Sequence, residues 1–439
     1  MKFFDRESDI ELLREIRGRS LMNAQFTVLT GRRRIGKTAL VRKAYEDEPF
    51  LYLFVERKSE KELCEVFQEE IERFFGEPLL GRAEKFSQLF EILMKKSRQR
   101  AFTLVIDEFQ EFLKVNKSVF SSIQKYWDLN KDGAKINLVV MGSVNTLMRR
   151  IFFSYHASLY GRATSSMTLR PFRVSVLKEI LEEYSPGYSN EDLLALWTFT
   201  GGVAKYVELL IDGGAYNRDA MIDLMVRDGS PFVTEGRLML AEEFAREYSN
   251  YFSILSAIAR GRTCRNEIEQ AVGKNVGGYL SRLEDDYGII AKKLPLFAKD
   301  KAKASRYMLD DNFLIFWFRF IFKYGYLMEI GEFEKLREIV RRDYEAFSGF
   351  ALERYFRQLF IESKNWTRIG SWWDRKGENE IDLIAENELD GTCAVCEVKR
   401  EKSRIDLDVL KRKFAVFTKS SGKWKRAKPQ FLALSLEDM

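Results

Sequence analysis

The chain has 439 residues, with 72 lysine or arginine against 66 aspartate or glutamate, for a formal net charge of +6. This length suggests about three domains, and so slight an excess of base does not by itself announce a nucleic-acid binder, so the local distribution of charge matters more. No long uncharged apolar run appears, the opening MKFFDRESDIELL lacks the apolar segment of a secretion signal, and cysteines 64, 264, 393 and 396 follow no framework spacing, so a reduced, cytoplasmic protein without a membrane span is expected.

QFTVLTGRRRIGKTALVRKAY runs from a short apolar strand at 26–29 into a helix that begins near Gly36. Between them Gly31, Arg32, Arg33, Arg34, Ile35, Gly36, Lys37 and Thr38 fit G-x-x-x-x-G-K-[ST] in full, followed by Ala39. The glycines let successive backbone N–H groups turn toward one anion, and the helix N-terminus adds partial positive charge. Lys37 is expected to reach the β- and γ-phosphates of ATP, and the Thr38 hydroxyl to bind Mg²⁺. A second apolar run, 102–106 in AFTLVIDEFQEF, reads as a buried parallel strand. Asp107 at its end is placed to hold the Mg²⁺ shell, and Glu108 to polarise the attacking water. INLVVMGS, at 136–143, is a third strand ending in Ser143, either a group that senses the γ-phosphate or a helix cap.

FFDRESDIELL, TGRRRIGKTAL, LVIDEFQ, VVMGS, LYGRATSSMTLRPF and FTGGVAKYVELL occur in this order. Together they resemble the archaeal-type ATPases of the AAA+/STAND group, over roughly residues 1–245. The resemblance implies that Phe4, Arg6 and Glu7 or Asp9 lie near the nucleotide base. It also marks Gly161-Arg162 as a hallmark, with Arg162 either a sensor or arginine finger, or a salt bridge that fixes the strand. The GGV-x-KY motif of that group carries proline where this chain has Ala204, which leaves the role of Lys205 and the geometry of the lid open.

Residues 250–310 change character. YFSILSAIARG is an apolar-periodic helix, RNEIEQAV a short one, and VGGYLSRLEDDYGII a third that runs into a lysine-rich hairpin. This order resembles a winged helix-turn-helix. Lys274, Asn275, Tyr279 and Arg282 on the third helix, and Lys292, Lys293, Lys299, Lys301, Lys303 and Arg306 on the wing, form a phosphate-contacting set with weak base-reading power. The module contacts DNA or RNA, or it serves as packing beside the ATPase. DDNFLIFWFRFIFKYGYLMEI, dense in aromatics at helical spacing, is expected to be a buried docking helix.

In the last quarter, SGFALERYFRQLF is an amphipathic helix carrying Glu353, and three strands follow. Alternation along GTCAVCEVKR puts Cys393, Val395, Glu397 and Lys399 on one face and Ala394, Cys396 and Val398 on the other. Two acids and a lysine meeting on adjacent strands must pair or bind an ion, because lone buried charges are costly. Oxygen ligands suit Mg²⁺ or Mn²⁺, and the lysine suits water activation at a phosphodiester. Cys393 and Cys396 point to opposite faces and are no zinc site, and His156 is expected at the surface. The order Glu353, Glu380-x-Asp382, Glu397-Val-Lys399 resembles the PD-(D/E)XK restriction-endonuclease-like core and the DUF234 region in which archaeal-type ATPases often end, over about 345–435. The resemblance implies catalytic Asp382, Glu397 and Lys399, metal ligation by Asp382 and Glu397, and support from Glu353 and Glu380. Residues 411–428 hold eight basic residues and no acid, interleaved with Phe414, Phe417 and Trp424, which makes either a nucleic-acid footprint or a solvated surface.

The expected fold is α/β. A P-loop parallel-sheet ATPase core (1–175) precedes a helical lid (176–248), a winged helix-turn-helix (249–312), connecting helices (313–345) and a restriction-endonuclease-like domain (346–439). The expected function is ATP binding and hydrolysis coupled to action on DNA or RNA, in a homo-oligomer or with a protein partner and without a membrane. The competing expectation is a nucleotide-switched scaffold that binds without cutting.

Overall fold

The computed structural model describes residues 1–143, 145–244, 248–298, 304–424 and 428–439. Lys299, Lys301 and Lys303 of the wing, and Lys425 and Arg426 of the basic run, lie outside the described residues. The chain divides into two compact units, Asp5–Arg170 and Pro171–Met439 with Met1–Phe4.

The first unit is built on five strands: β1 (Gln25–Thr30), β2 (Phe50–Phe54), β3 (Phe102–Asp107), β4 (Ile136–Gly142) and β5 (Ser165–Thr168). They pair in parallel in the order β2-β3-β4-β1-β5. Every residue of β3 and β4 is buried, which is why both read as unbroken apolar runs. Val105, Val139 and Met141 face the core shared with the Glu7–Arg19 and Lys37–Ala44 helices. Leu104, Ile106, Leu138 and Val140 face the opposite core, shared with Glu60–Phe75, Phe86–Gln99 and Ser118–Asn130. Ser59 starts the first of these three helices by a capping box with Glu62. Because Thr30 pairs with Gly142 and Ile106 with Val140, strands β1, β3 and β4 end at one edge of the sheet. That edge is where α/β sheets present ligands.

The second unit begins with a helical segment. The Asn190–Thr200 helix is buried on every side from Leu193 to Thr200, the mark of a central core helix. Gly202, in the GGV motif, has φ 76°, and a Cβ there would stand 2.3 Å from the Phe172 carbonyl oxygen, so only glycine fits. Ala204 opens the Ala204–Asp212 helix, and Lys205 pairs with Glu208 at 2.8 Å. Helices Tyr248–Ala259, Arg265–Val272 and Gly277–Ser281 then lead through a π-helical turn, Arg282–Asp286, into an antiparallel pair, β6 (Ile290–Lys293) and β7 (Arg306–Leu309). The aromatic stretch that follows is buried across Phe313, Phe316, Trp317, Phe318 and Phe320.

The Phe333–Glu362 helix has 30 residues and runs unbroken through positions 345 and 346. It leads to a second sheet: β8 (Arg368–Trp373), β9 (Glu380–Asn387), β10 (Thr392–Val398) and β11 (Gln430–Leu434), in the order β11-β10-β9-β8. Only the β10–β11 pair is parallel. Ala394, Cys396 and Val398 join the core of the long helix, while Val395 joins Leu410 and Phe417 of the Leu407–Ser421 helix. The alternation of β10 therefore sorts its side chains between two cores. Among the described residues no helix is long and apolar enough to cross a membrane.

Candidate functional sites

The loop between β1 and the Lys37–Ala44 helix wraps one point at the sheet edge. Gly36 has φ 95°, a turn that a side chain would strain. At Gly31 a Cβ would lie 2.8 Å from the Leu169 carbonyl oxygen. Lys37 is buried and donates to the carbonyls of Gly31 at 2.8 Å and Arg32 at 3.2 Å. Burial lowers the pKa of its ammonium, against the pull of Glu108 and Asp107.

Asp107 is 5% exposed and fully engaged. Its Oδ2 accepts from Thr38 Oγ1 at 3.2 Å and from the Tyr52 hydroxyl at 2.7 Å, and its Oδ1 accepts from the Glu108 N–H at 2.8 Å. Tyr52 was not singled out by sequence. Burial first, and then its bond to Asp107, raise its pKa, so it remains a donor. Glu108 takes a left-handed φ of 51°. Its Oε2 accepts from Ser143 Oγ at 3.0 Å and from Gln110 Nε2. Gln110 also donates to Ser143 Oγ at 3.4 Å, and its buried Oε1 has no partner among the described residues. Gly142 makes room for this arrangement, since a Cβ there would sit 2.7 Å from Gln110 Oε1. Lys37, Thr38, Asp107, Glu108 and Ser143 thus gather at one edge. The hydroxyl and carboxylate oxygens of Thr38 and Asp107 are hard donors, a chemistry that fits Mg²⁺.

Three residues marked by the resemblance make contacts of their own. Arg162 pairs with Asp128 at 3.1 Å and donates to the Tyr160 carbonyl at 2.7 Å, so it braces the segment before β5. Arg6 donates to the Arg170 carbonyl at 2.6 Å and lies 3.8 Å from Asp9, while Phe4, part of the second unit, packs on Tyr184 with ring centroids 6.1 Å apart.

The second sheet carries another charged cluster. The β9–β10 pairing, with Cys396 opposite Leu383, brings Asp382 beside Glu397. Lys399 Nζ lies 3.3 Å from Asp382 Oδ2 and 3.2 Å from Glu397 Oε1. The Val398 N–H also donates to Asp382 Oδ2, at 2.8 Å. From the Leu407–Ser421 helix, Lys413 reaches both Glu397 oxygens, at 3.0 and 2.9 Å. Burial raises the Asp382 carboxyl; Lys399 opposes this and Glu397 adds to it. Burial works against the Lys399 ammonium, but Asp382 and Glu397 outweigh it and its pKa rises. Glu353 faces the same cluster, its carboxyl pushed up to about 8 by its packed surround and by Asp382, against Lys399. Water reaches the Glu353 side chain, so the neighbouring carboxylate is the firmer cause of that direction. Among the described residues no three His, Cys, Asp or Glu side chains form a metal-ready group.

Glu380, whose charge also helps raise the Glu353 carboxyl, is itself held by the hairpin. It forms a two-pronged ion pair with Arg306, at 2.7 and 3.2 Å, and Arg306 also stands over Trp373, 4.5 Å from the ring centre. Leu296 N donates to the Ser371 carbonyl at 2.9 Å, so the β6–β7 hairpin is fastened to β8. The third helix is likewise engaged within its own module. Lys274 bonds Asn250, Asn275 accepts from Arg265 at 3.3 Å, Tyr279 accepts from Asn250 at 2.9 Å and Arg282 reaches Tyr251 at 3.4 Å.

A family profile described as an ATPase domain predominantly from Archaea matches residues 3–210, and DUF234, described as "Archaea bacterial proteins of unknown function", matches residues 317–412. An uncharacterized protein of Methanocaldococcus jannaschii is 32% identical over 425 residues, which cover 93% of this chain and 90% of that protein. Among solved structures, a Walker-type ATPase of Pyrococcus abyssi superposes with a TM-score of 0.54 at 20% identity, over 72% of this chain and 96% of that one. The ORC2 protein of Aeropyrum pernix, solved in ADPNP-ADP complexes, gives a TM-score of 0.46 at 15% identity, over 74% of this chain and 95% of that one.

Proposed function

The chain belongs to the family of archaeal ATPases that carry a DUF234 region, and from that membership we propose that nucleotide turnover in its first unit governs a C-terminal module that acts on nucleic acid. The observation that carries this reading is the 3.2 Å approach of the Thr38 hydroxyl to Asp107 Oδ2. It joins the phosphate loop to the strand-end carboxylate at the point where a nucleotide's cation belongs. The amides of 31–39 and Lys37 would hold the triphosphate, and Thr38 and Asp107 would hold Mg²⁺, which supplies charge neutralisation to the phosphates. Glu108 would take the proton of the attacking water, with Ser143 and Gln110 holding the carboxylate in place. Phosphate release tests this: Glu108→Gln should lose about 10²- to 10⁴-fold in rate while ATP still binds. Equal rates in wild type and variant would end the assignment.

For the C-terminal module we propose that Asp382, Glu397 and Lys399 grip a phosphodiester. Asp382 and Glu397 are the donors that Mg²⁺ or Mn²⁺ would use if the module cuts. Lys399 and Lys413 already occupy those acids, which favours the second reading, binding without cutting. Incubation with single- and double-stranded DNA and RNA, plus Mg²⁺ or Mn²⁺, separates the two. Products lost in Asp382→Ala but kept in Lys37→Ala support cutting. Retained binding without products supports a platform. We read residues 249–312 as a winged helix used mainly for packing, because the hairpin and the third helix are both engaged within the second unit.

A further inference from the structure

We infer that a groove along the Tyr248–Ala259 helix is a separate ligand site for a phosphorylated nucleoside, free or as one unit of a single strand. The groove has a volume of about 700 Å³ and is lined by Ser253, Ser256, Arg260, Arg262, Phe252 and Phe322 among others. Small-ligand pockets typically span roughly 300–1,000 Å³, so it can take such a molecule.

Ser256 is the first sign that something binds there. It lines the groove, and its hydroxyl, open to solvent on that side, bonds no other described residue. Ser253, one turn back, shows the usual alternative by donating to the Ser249 carbonyl at 2.9 Å. A hydroxyl that opens on the groove and is not spent on a helix carbonyl can bond a ligand there. The two arginines are the second sign. Both are exposed, and neither has an acidic partner among the described residues. Two of the last helix carbonyls are already engaged, Ala257 O by Arg262 N at 3.1 Å and Ile258 O by Gly261 N at 2.9 Å. The guanidinium groups are therefore left to an outside anion, and their planar forks suit phosphate. The third sign is the apolar wall, the half-buried Phe322 backed by the buried Phe252, ring centroids 5.6 Å apart. An anion alone makes no use of such a wall, whereas a flat base joined to a phosphate uses both wall and arginines.

This inference does not depend on the phosphate loop, and its test keeps the two apart. In a Lys37→Met background, fluorescence anisotropy with a short labelled oligothymidylate and calorimetry with thymidine monophosphate should each report on the groove. Saturable binding is expected, weakened ~10-fold or more by Arg260→Ala with Arg262→Ala and ~3-fold by Ser256→Ala, at unchanged melting temperature. In the otherwise native chain the arginine pair of substitutions should leave ATP turnover intact. Comparable affinity for the two probes identifies a free nucleotide as the ligand, and binding of the oligonucleotide alone identifies a strand. No saturable binding of either probe, or binding untouched by the arginine substitutions, would overturn the inference.

Discussion

Lys413 straddles Glu397, its ammonium 3.0 Å from one carboxylate oxygen and 2.9 Å from the other. This pair links the Leu407–Ser421 helix to β10 and brings a second ammonium to the cluster. Two ammonium groups, from Lys399 and Lys413, stand against Asp382 and Glu397. Removing one partner of a partly buried pair leaves the other inadequately compensated, at about 1–3 kcal/mol. Lys413→Met is therefore expected to lower the melting temperature. It should also free Glu397 for a cation, so added Mn²⁺ should raise the melting temperature more in the variant than in the wild type. Differential scanning fluorimetry across a Mn²⁺ series reads both effects, and an identical Mn²⁺ response would discard the view that lysine and cation compete.

The Tyr52 hydroxyl makes the shortest side-chain bond to Asp107, at 2.7 Å, and shares Oδ2 with Thr38. Tyr52→Phe removes this donor and keeps the ring. The expected loss of stability is about 1 kcal/mol. Asp107 then gains freedom to turn, so the Mg²⁺ concentration needed for half-maximal ATP turnover should rise several-fold. An unchanged Mg²⁺ requirement, measured by phosphate release, would reduce Tyr52 to core packing.

The phosphate loop was legible because its chemistry is local. Consecutive residues from Gly31 to Thr38 build one cradle, and the fully buried β3 and β4 announce themselves as apolar runs that end in Asp107 and Gly142. Tyr52, Gln110 and Lys413 were not legible. Tyr52 lies 55 positions from Asp107, and Lys413 lies 16 from Glu397 on another element, so only the fold brings each pair together. Gln110 follows Glu108 closely, but nothing in its spacing signals that it shares Glu108 with Ser143 across the sheet. Glu380 has a partner that its spacing did not announce. It has the spacing of a companion to Asp382, yet it pairs with Arg306 of the hairpin, a choice settled by packing between distant segments.

Thiol chemistry offers an independent check on the cores. Cys64 and Cys396 are fully buried, and burial pushes both thiols up to about 12, with smaller contributions from Glu60 and Asp382 respectively. Cys393 is also buried and raised for the same reason, whereas Cys264 is exposed. Since the thiolate is the reactive form, Ellman's reagent at neutral pH should label one cysteine quickly in the folded protein and all four after denaturation. Fast labelling of two or more in the folded protein would contradict the packing of β10 or of the Glu60–Phe75 helix.

Lys37 predicts a cost to stability that its function explains. Burial holds its ammonium below the ordinary lysine value of 10.5, with Glu108 and Asp107 opposing the shift and Arg33 reinforcing it. A base whose folded pKa is lowered binds its proton less tightly when folded than when unfolded. The protonated lysine therefore destabilises the nucleotide-free fold at every pH below its folded pKa, and that penalty fades as pH climbs from the folded value toward 10.5. Lys37→Met keeps the length of the side chain and removes the charge. At neutral pH without nucleotide it should melt higher than the wild type, by a few degrees at most, and the gap should narrow as pH rises. Added ATP should reverse the order, because binding stabilises only the protein that retains the phosphate-binding ammonium. Melting curves at several pH values, with and without Mg·ATP, test both halves. A variant that melts lower than wild type without nucleotide would show that the lysine serves folding, not the anion.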